Sequence, residues 1–271
     1  MVKHHVAIIA ETKKISDTEL TRVETTLRTR LRRDVAPIWG VTAILQSYRD
    51  RNKAGDAWPL LVRDDIDEPG AASYHSDKNG QPFAMVTYSP TWPFLVSHDL
   101  LEMLIDPHAT RLVSGPDPRP GRKHPVEFLV EVCDPCAAEA NGYLINDVRM
   151  ADFCTPDYYG GKRPKSRYSF TGAIKKPFEV LPGGYLTWRD RRDGHWWQKT
   201  YFGPKPEFRD LGAFESTATA NGDPADASVR RKRISLQSVI LRQIQEAHES
   251  GRPSTRSIIE QLIAEFGAIP D

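Results

Sequence analysis

The segment SHDLLEMLIDP, residues 97–107, combines the composition of a buried helix with four ionisable side chains. At about 100° per residue, His98, Asp99, Glu102 and Asp106 fall on one arc of the helix, and apolar residues occupy most of the remainder. Burying such groups without partners costs several kcal/mol. The pattern therefore predicts a metal site or a dense hydrogen-bond network on this face, and a simple solvated edge is the remaining alternative.

His98 and Glu102 are predicted metal ligands because they stand one helical turn apart. At that spacing the Cβ atoms are roughly 5–6 Å apart, so an imidazole nitrogen and a carboxylate oxygen can converge on one ion at about 2.0–2.2 Å. The H-E-x-x-H helix of zinc peptidases has the same spacing, and the acid after its first histidine is the general base. In this chain the pattern is H-D-x-x-E, so Asp99 is the predicted catalytic base.

A third ligand is expected from LVEVCDPC, residues 129–136. Glu131 lies between two valines, which indicates a buried acid, and it is the predicted third ligand. Asp134 is expected to hydrogen-bond a metal-bound histidine and orient it. Asp106 is either an alternative third ligand or a further orienting residue.

The order of predicted elements indicates an α+β fold with a mixed sheet packed on two helices. Apolar runs predict strands at residues 6–10, 40–48 and 58–66, then an extended piece and a strand near 83–88. Helical spacing predicts a first helix from Ser16 to about Val35, ending before Pro37. The second helix is the segment with the ionisable arc, with Thr91 as its expected N-cap and Pro107 as its stop.

Composition shifts divide the chain into four parts. Residues 1–114 form the expected N-terminal subdomain, and residues 115–214 a β-rich second half that supplies the third ligand. Residues 215–233 are rich in small polar residues and indicate a linker, and residues 234–271 a C-terminal helical hairpin. So small a hairpin cannot bury enough surface alone, so it is expected to pack on the main domain, on a second copy or on a protein partner.

Charge, hydropathy and cysteine content limit the partners and the compartment. The net charge is +1, which predicts no nucleic-acid or membrane partner, and no run approaches the roughly 18 apolar residues of a membrane helix. Cys133, Cys136 and Cys154 are too few and odd in number for a disulfide framework, which indicates a cytoplasmic protein with reduced thiols. A zinc site built on cysteine is possible chemically, but the spacing favours small buried thiols.

Several motifs together resemble a bacterial family of zincin-like, gluzincin-type metallopeptidases with an SHExxEMxxDP-like helix. The resemblance covers roughly residues 5–205 and is carried by RDVAPIWGV, DDIDEPGAASYH, GQPFA, SHDLLEMLIDP, EVCDP and LPGGYL. It implies a strand, a backing helix, further strands with an edge strand above the cleft, and then the metal helix. His98, Glu102 and Glu131 would be the metal ligands, with Asp99 where the family has glutamate.

The resemblance implies a zinc-dependent hydrolase, a peptidase, acting on a peptide or protein substrate. The substrate would lie along the edge strand near residues 71–75, with Tyr74, His75, Tyr143 or Tyr158 donating to the oxyanion. A His/Glu/Glu ligand set is harder than His/His/Glu, so Mn²⁺ and Ca²⁺ are alternatives to Zn²⁺. The aspartate at position 99 leaves a second reading, a non-catalytic zincin-like scaffold used for binding or assembly.

Overall fold

The computed structural model describes residues 2–66, 72–78, 80–160 and 167–213. The predicted linker at 215–233 and the predicted helical hairpin at 234–271 lie outside the described residues. Within the described part the fold is α+β, as the order of the predicted elements indicated.

The first half is built on a five-stranded sheet. Its strands are β1 (Val2–Ala10), β2 (Val41–Tyr48), β3 (Trp58–Arg63), β4 (Ser73–Lys78) and β5 (Gln81–Thr87). The order across the sheet is β2-β1-β3-β5-β4. The first four strands in this order run parallel, and β4 pairs antiparallel with β5 at the edge.

The first helix, α1 (Asp17–Arg30), begins at Ser16, whose hydroxyl accepts the Glu19 backbone N–H. It continues through a π-helical turn (Leu31–Val35) into a short α2 (Ala36–Trp39). The predicted end before Pro37 was therefore wrong. Pro37 directly follows the π-helical turn, and the chain leaves the helix at Gly40 with a φ of +69°.

The helix with the ionisable arc is α3 (Trp92–Ile105), which packs against β4 and β5. Thr91 is its N-cap residue, although the Thr91 side chain makes no capping hydrogen bond. Almost every side chain from Phe94 onward is buried or nearly so. The helix is thus surrounded by protein, as its apolar composition predicted.

The second half is an antiparallel sheet with a small hairpin and a short helix. Its elements are β6 (Leu112–Pro116), β7 (Pro125–Leu129), β8 (Tyr143–Ile145), β9 (Val148–Met150), α4 (Pro156–Tyr159), β10 (Tyr185–Arg189), β11 (His195–Thr200) and β12 (Glu207–Ala213). The order in the larger sheet is β12-β11-β10-β7-β6. The expected subdomain boundary at residue 114 falls inside β6, so the second sheet begins slightly before it.

One apolar core joins the two halves. It runs from the side chains of β1 and α1, through α3, to residues after β7 and around β9 and β10. Phe128 on β7 stacks on Phe178 and lies against Trp188 of β10. All three cysteines are buried and free. Among the described residues, no helix is long and apolar enough to cross a membrane.

Candidate metal centre

The ionisable side chains of α3 lie in a buried cluster with residues from two other elements. Helix α3 supplies three members, the edge strand β4 supplies one, and the segment after β7 supplies three: His98, Asp99, Glu102; His75; Glu131, Cys133 and Asp134. His98 is the most exposed ion-paired member, with 13% of its side chain accessible. The cluster thus lies between the two halves of the fold.

Helix α3 is held in place by the buried guanidinium of Arg30 on α1. Arg30 donates to the backbone carbonyls of Ser97 and Ala151. The Ser97 hydroxyl accepts the Ala151 backbone N–H at 2.8 Å and donates to Phe94 O at 2.7 Å. These contacts fix the turn of α3 that precedes His98, and hence the direction of the ionisable arc.

Backbone hydrogen bonds anchor the segment that follows β7. The Val130 N–H donates to Arg111 O, and the Cys154 N–H donates to Val132 O. The Tyr159 hydroxyl donates to the carbonyl of Glu131 at 2.8 Å. Because the backbone is tied down, the side chains of this segment are held against α3.

His98 and Glu102 meet as the helical spacing predicted, with 3.1 Å between Nε2 and Oε2. The same Nε2 lies 3.3 Å from Oδ1 of Asp134. The backbone N–H of Cys133 donates to the other oxygen of Glu102 at 3.0 Å. Asp134 thus lies beside the nitrogen that faces Glu102, rather than behind the imidazole ring as an orienting residue would.

His75 is fully buried and lies between two glutamates. Its Nδ1 is 3.7 Å from Oε2 of Glu102, and its Nε2 is 3.7 Å from Oε2 of Glu131. Its ring also hydrogen-bonds to the backbone of Asp106. The carboxylate of Glu131 is therefore placed beside His75, whereas the sequence predicted it as a partner of His98.

Two sets of three residues bring their potential ligand atoms within 4.8 Å of one another among the described residues. One set is His98, Glu102 and Cys133, and the other is His75, Asp99 and Glu102. Nitrogen, carboxylate and thiolate ligands of this kind suit zinc and related divalent ions. The residues present therefore fit a metal ion, with Glu102 common to both sets.

Burial and crowding shift the pKa values of the acids. Burial, reinforced by the repulsion of Glu102, raises the pKa of Asp99 and that of Asp134 to about 7. Burial and the neighbouring carboxylates hold the pKa of Glu131 well above its usual value. At neutral pH the metal-free cluster therefore keeps protons on carboxyl groups that would be ionised if they were exposed to solvent.

His98 and Glu102 form the charged pair of the cluster. Burial opposes the charge on both, but the attraction of Glu102 raises the pKa of His98 well above its usual value. In the same way His98, followed by His75, lowers the pKa of Glu102 despite its burial. Burial lowers the pKa of His75, which favours a neutral imidazole, the form that binds metals.

Several buried carboxylate oxygens make no hydrogen bond within the described part of the chain: Oδ2 of Asp99 and both side-chain oxygens of Glu131. An unsatisfied buried acceptor costs about 1–3 kcal/mol. A cation bound in the cluster would satisfy these oxygens and offset that cost.

Tyr143 and Tyr158 are engaged elsewhere. The Tyr143 hydroxyl donates to Asp34 at 3.0 Å and accepts from Arg30 at 3.2 Å. The Tyr158 hydroxyl donates to Glu179 O. The structure therefore does not bring the predicted catalytic Tyr143 into the cluster.

Tyr74 and Asp106 belong to neither set. Tyr74 alternates with His75 on β4, and its ring packs edge-on against Phe83. The Asp106 carboxylate accepts the backbone N–H groups of Thr110 and Arg111 at 3.0 and 2.7 Å. Asp106 thus closes the turn after α3, which is a structural role.

Two members of the cluster have roles that differ from those predicted from the sequence: His75, and Cys133 beside Glu102. The sequence predicts His75 along the substrate strand and Cys133 as a small buried thiol. The alternation of β4 offers a signal, since Ser73 and His75 share the face toward α3.

No protein-family model matches the chain, and comparisons with curated proteins and with solved structures found no match to it.

Proposed function

We propose that this protein is a metal-dependent hydrolase of the peptidase type, whose divalent ion is held by His98, Glu102 and Cys133. The observation that carries the proposal is that these three side chains, two from α3 and one from the segment after β7, bring their ligand atoms within 4.8 Å of one another. Three protein ligands with one open position are typical of catalytic zinc. A bound ion of this kind would supply Lewis acidity for hydrolysis of an amide bond.

Zinc is the metal that this ligand set favours. A thiolate selects borderline-soft ions over Ca²⁺, which prefers oxygen. Mn²⁺ remains an alternative if Cys133 stays a thiol, and burial does raise the pKa of that thiol well above its usual value. A bound cation lowers the pKa of a coordinating thiol, so metal binding and loss of the proton are coupled.

Asp134 is the residue we assign as general base. Its pKa of about 7 is suited to proton transfer at neutral pH, and its Oδ1 lies 3.3 Å from His98 Nε2. Asp99 has a similar pKa but is grouped with His75 on the inner side of α3. His98 is also the more exposed of the two histidines, with 13% of its side chain accessible.

The topology supports the zincin-like part of the proposal. An antiparallel edge strand, β4, lies next to the helix that bears the candidate ligands. On its outer side no strand pairs with β4 among the described residues. An extended peptide could add there through main-chain hydrogen bonds.

Three free thiols are consistent with the cytoplasmic location that we expect.

The test combines metal analysis with peptide cleavage on protein purified without a histidine tag. We expect bound zinc by mass spectrometry and cleavage of a mixed peptide library. Glu102→Gln should lose both the metal and the cleavage. Asp134→Asn should keep the metal and lose roughly 100-fold or more in kcat, and the exposed Glu139→Gln should match the wild type. Absence of stoichiometric metal from the wild type would refute the proposal.

A non-catalytic metal-stabilised scaffold for binding or assembly is the second candidate. The depth of the cluster favours it, because apart from His98 its members are almost completely buried. Stoichiometric metal without cleavage of any library peptide, together with thermal stabilisation by the metal, would identify this function instead.

A further inference from the structure

We propose a second divalent metal position on the inner side of α3, formed by His75, Asp99 and Glu102, so that Glu102 bridges two ions. The inference rests on the proposed function for the outer ion, held by His98, Glu102 and Cys133. Pairs of metal ions about 3.5–4 Å apart are a recurrent arrangement in hydrolases. The proposal assigns a ligand role to the edge-strand histidine.

The distances within the cluster are those of ligands around an ion. Two ligand atoms bound to one ion at about 2.0–2.2 Å lie roughly 3–4.4 Å apart. His75 Nδ1 is 3.7 Å from Glu102, and His75 Nε2 is 3.7 Å from Glu131. Direct charge-assisted hydrogen bonds would be about 2.7–2.9 Å long, so one nitrogen of His75 is spaced for a cation between itself and a carboxylate, while the other is held by the backbone of Asp106.

Unsatisfied acceptors point to the same position. Oδ2 of Asp99 and both side-chain oxygens of Glu131 are buried and make no hydrogen bond within the described residues. Asp99 is 2% exposed and Glu131 is 5% exposed. Ser73 hydrogen-bonds to the carboxylate of Asp99, which leaves Oδ2 for the ion. Glu131 lies next to His75 and can complete the coordination.

Charge balance favours two ions over one. Four carboxylates stand in the cluster, those of Asp99, Glu102, Glu131 and Asp134. When all four are ionised, a single dication leaves about two negative charges in a buried volume, which is costly. Two dications neutralise all four.

The surrounding structure orients His75 for this role. Its ring hydrogen-bonds to the backbone of Asp106, and the turn at Asp106 is itself held by the N–H groups of Thr110 and Arg111. Such outer contacts fix the orientation of metal-bound histidines. Because its ligands are nitrogen and oxygen only, the inner position accepts harder ions, such as Mn²⁺ and Fe²⁺, as well as Zn²⁺.

Cobalt titration of the full-length, metal-free protein tests the inference, because Co²⁺ reports both positions. We expect two equivalents by equilibrium dialysis, with a thiolate-to-cobalt absorption band from the outer position. His75→Asn and the nearly isosteric Asp99→Asn should each bind one equivalent and keep that band. Cys133→Ser should lose the band and keep one equivalent. Cys154→Ser, a buried thiol in neither set, is the matched control and should bind two.

The wild-type stoichiometry decides the proposal even if a variant fails to fold, which circular dichroism would reveal. Saturation at one equivalent with the thiolate band present would overturn the second position and leave the proposed function standing. Failure to bind cobalt at all would overturn both. Two equivalents that survive in folded Asp99→Asn and His75→Asn would place the second ion elsewhere and likewise overturn the inference.

Discussion

His75 Nε2 lies 3.7 Å from Oε2 of Glu131, and the two residues come from different halves of the fold. His75 is on the edge strand of the first sheet, and Glu131 follows the second strand of the other sheet. The contact therefore ties the two halves of the fold together at the metal centre. A bound ion should strengthen this contact and so stabilise the folded protein. Replacing the carboxylate of Glu131 should reduce that stabilisation by the ion.

Glu131→Gln should stabilise the metal-free protein and reduce its response to metal. The variant replaces a buried acid whose raised pKa reflects the cost of burying its charge with a neutral amide, which is worth about 1–2 kcal/mol. Thermal unfolding with and without zinc measures both effects. Glu127→Gln is the control on the preceding strand, since Glu127 is paired with Arg189 at 2.6 Å. That variant should lose up to about 1 kcal/mol, and equal behaviour of the two variants would contradict the prediction.

The metal-free protein should lose stability as the pH rises from about 6.5 to 8. Asp99 and Asp134 have pKa values of about 7 when folded and about 3.9 when unfolded. Between these two values the folded state holds protons that the unfolded chain has released, so raising the pH favours unfolding until it has passed the folded pKa of about 7. The raised pKa of His98 acts in the same direction. The stabilisation by its protonated imidazole is complete below the unfolded pKa of about 6.5 and is lost as the pH rises through the higher folded pKa.

Urea unfolding of the metal-free protein at a series of pH values measures this dependence. Asp99→Asn should make the decline shallower, because one of the protons is then absent from both states. Saturating zinc should reverse the trend, because metal binding competes with protons for the same groups. Stability that rises from pH 6.5 to 8 without metal would refute the assignment of the raised pKa values.

Arg30→Met should destabilise the protein by about 3–5 kcal/mol. The substitution leaves the carbonyls of Ser97 and Ala151 without their buried donor. Chemical denaturation gives the change in the free energy of unfolding. Arg22→Met on the same helix is the control, because Arg22 makes an exposed hydrogen bond to Asn146 O. That control should change stability by no more than about 0.5 kcal/mol.

Gly184→Ala should distort the turn that carries Asp134 and directly follows the proposed ligand Cys133. A Cβ at Gly184 would lie 2.5 Å from the carbonyl oxygen of Pro135 and 2.8 Å from that of Asp134. Relieving this overlap by backbone movement costs about 1–3 kcal/mol, and cobalt affinity at the outer position should fall. Gly203→Ala is the control, since no atom lies within 4 Å of its Cβ position. Unchanged affinity and stability in Gly184→Ala would contradict this close packing.

The local features of the metal helix could be predicted from the sequence. Its helical period alone places His98 and Glu102 one turn apart, and its apolar flanks alone predict burial. Apolar runs of strand length predict β1, β2, β3 and β5, and with them the α+β class, whereas the polar β4 is predicted only as an extended piece. The apolar pattern does not predict that the first helix continues past Pro37, because the continuation depends on the intervening π-helical turn.

Only the tertiary structure decided which residues meet the arc of α3. His75 faces the helix because β4 pairs with β5 in the register that sets His75 opposite Ala84, and a shift of one residue would turn it to the other face. Glu131 meets His75 rather than His98, and Cys133 meets Glu102, because the second sheet places its segment against α3. Contacts between residues far apart in the chain depend on strand pairing and packing, which have no periodic signature in the sequence.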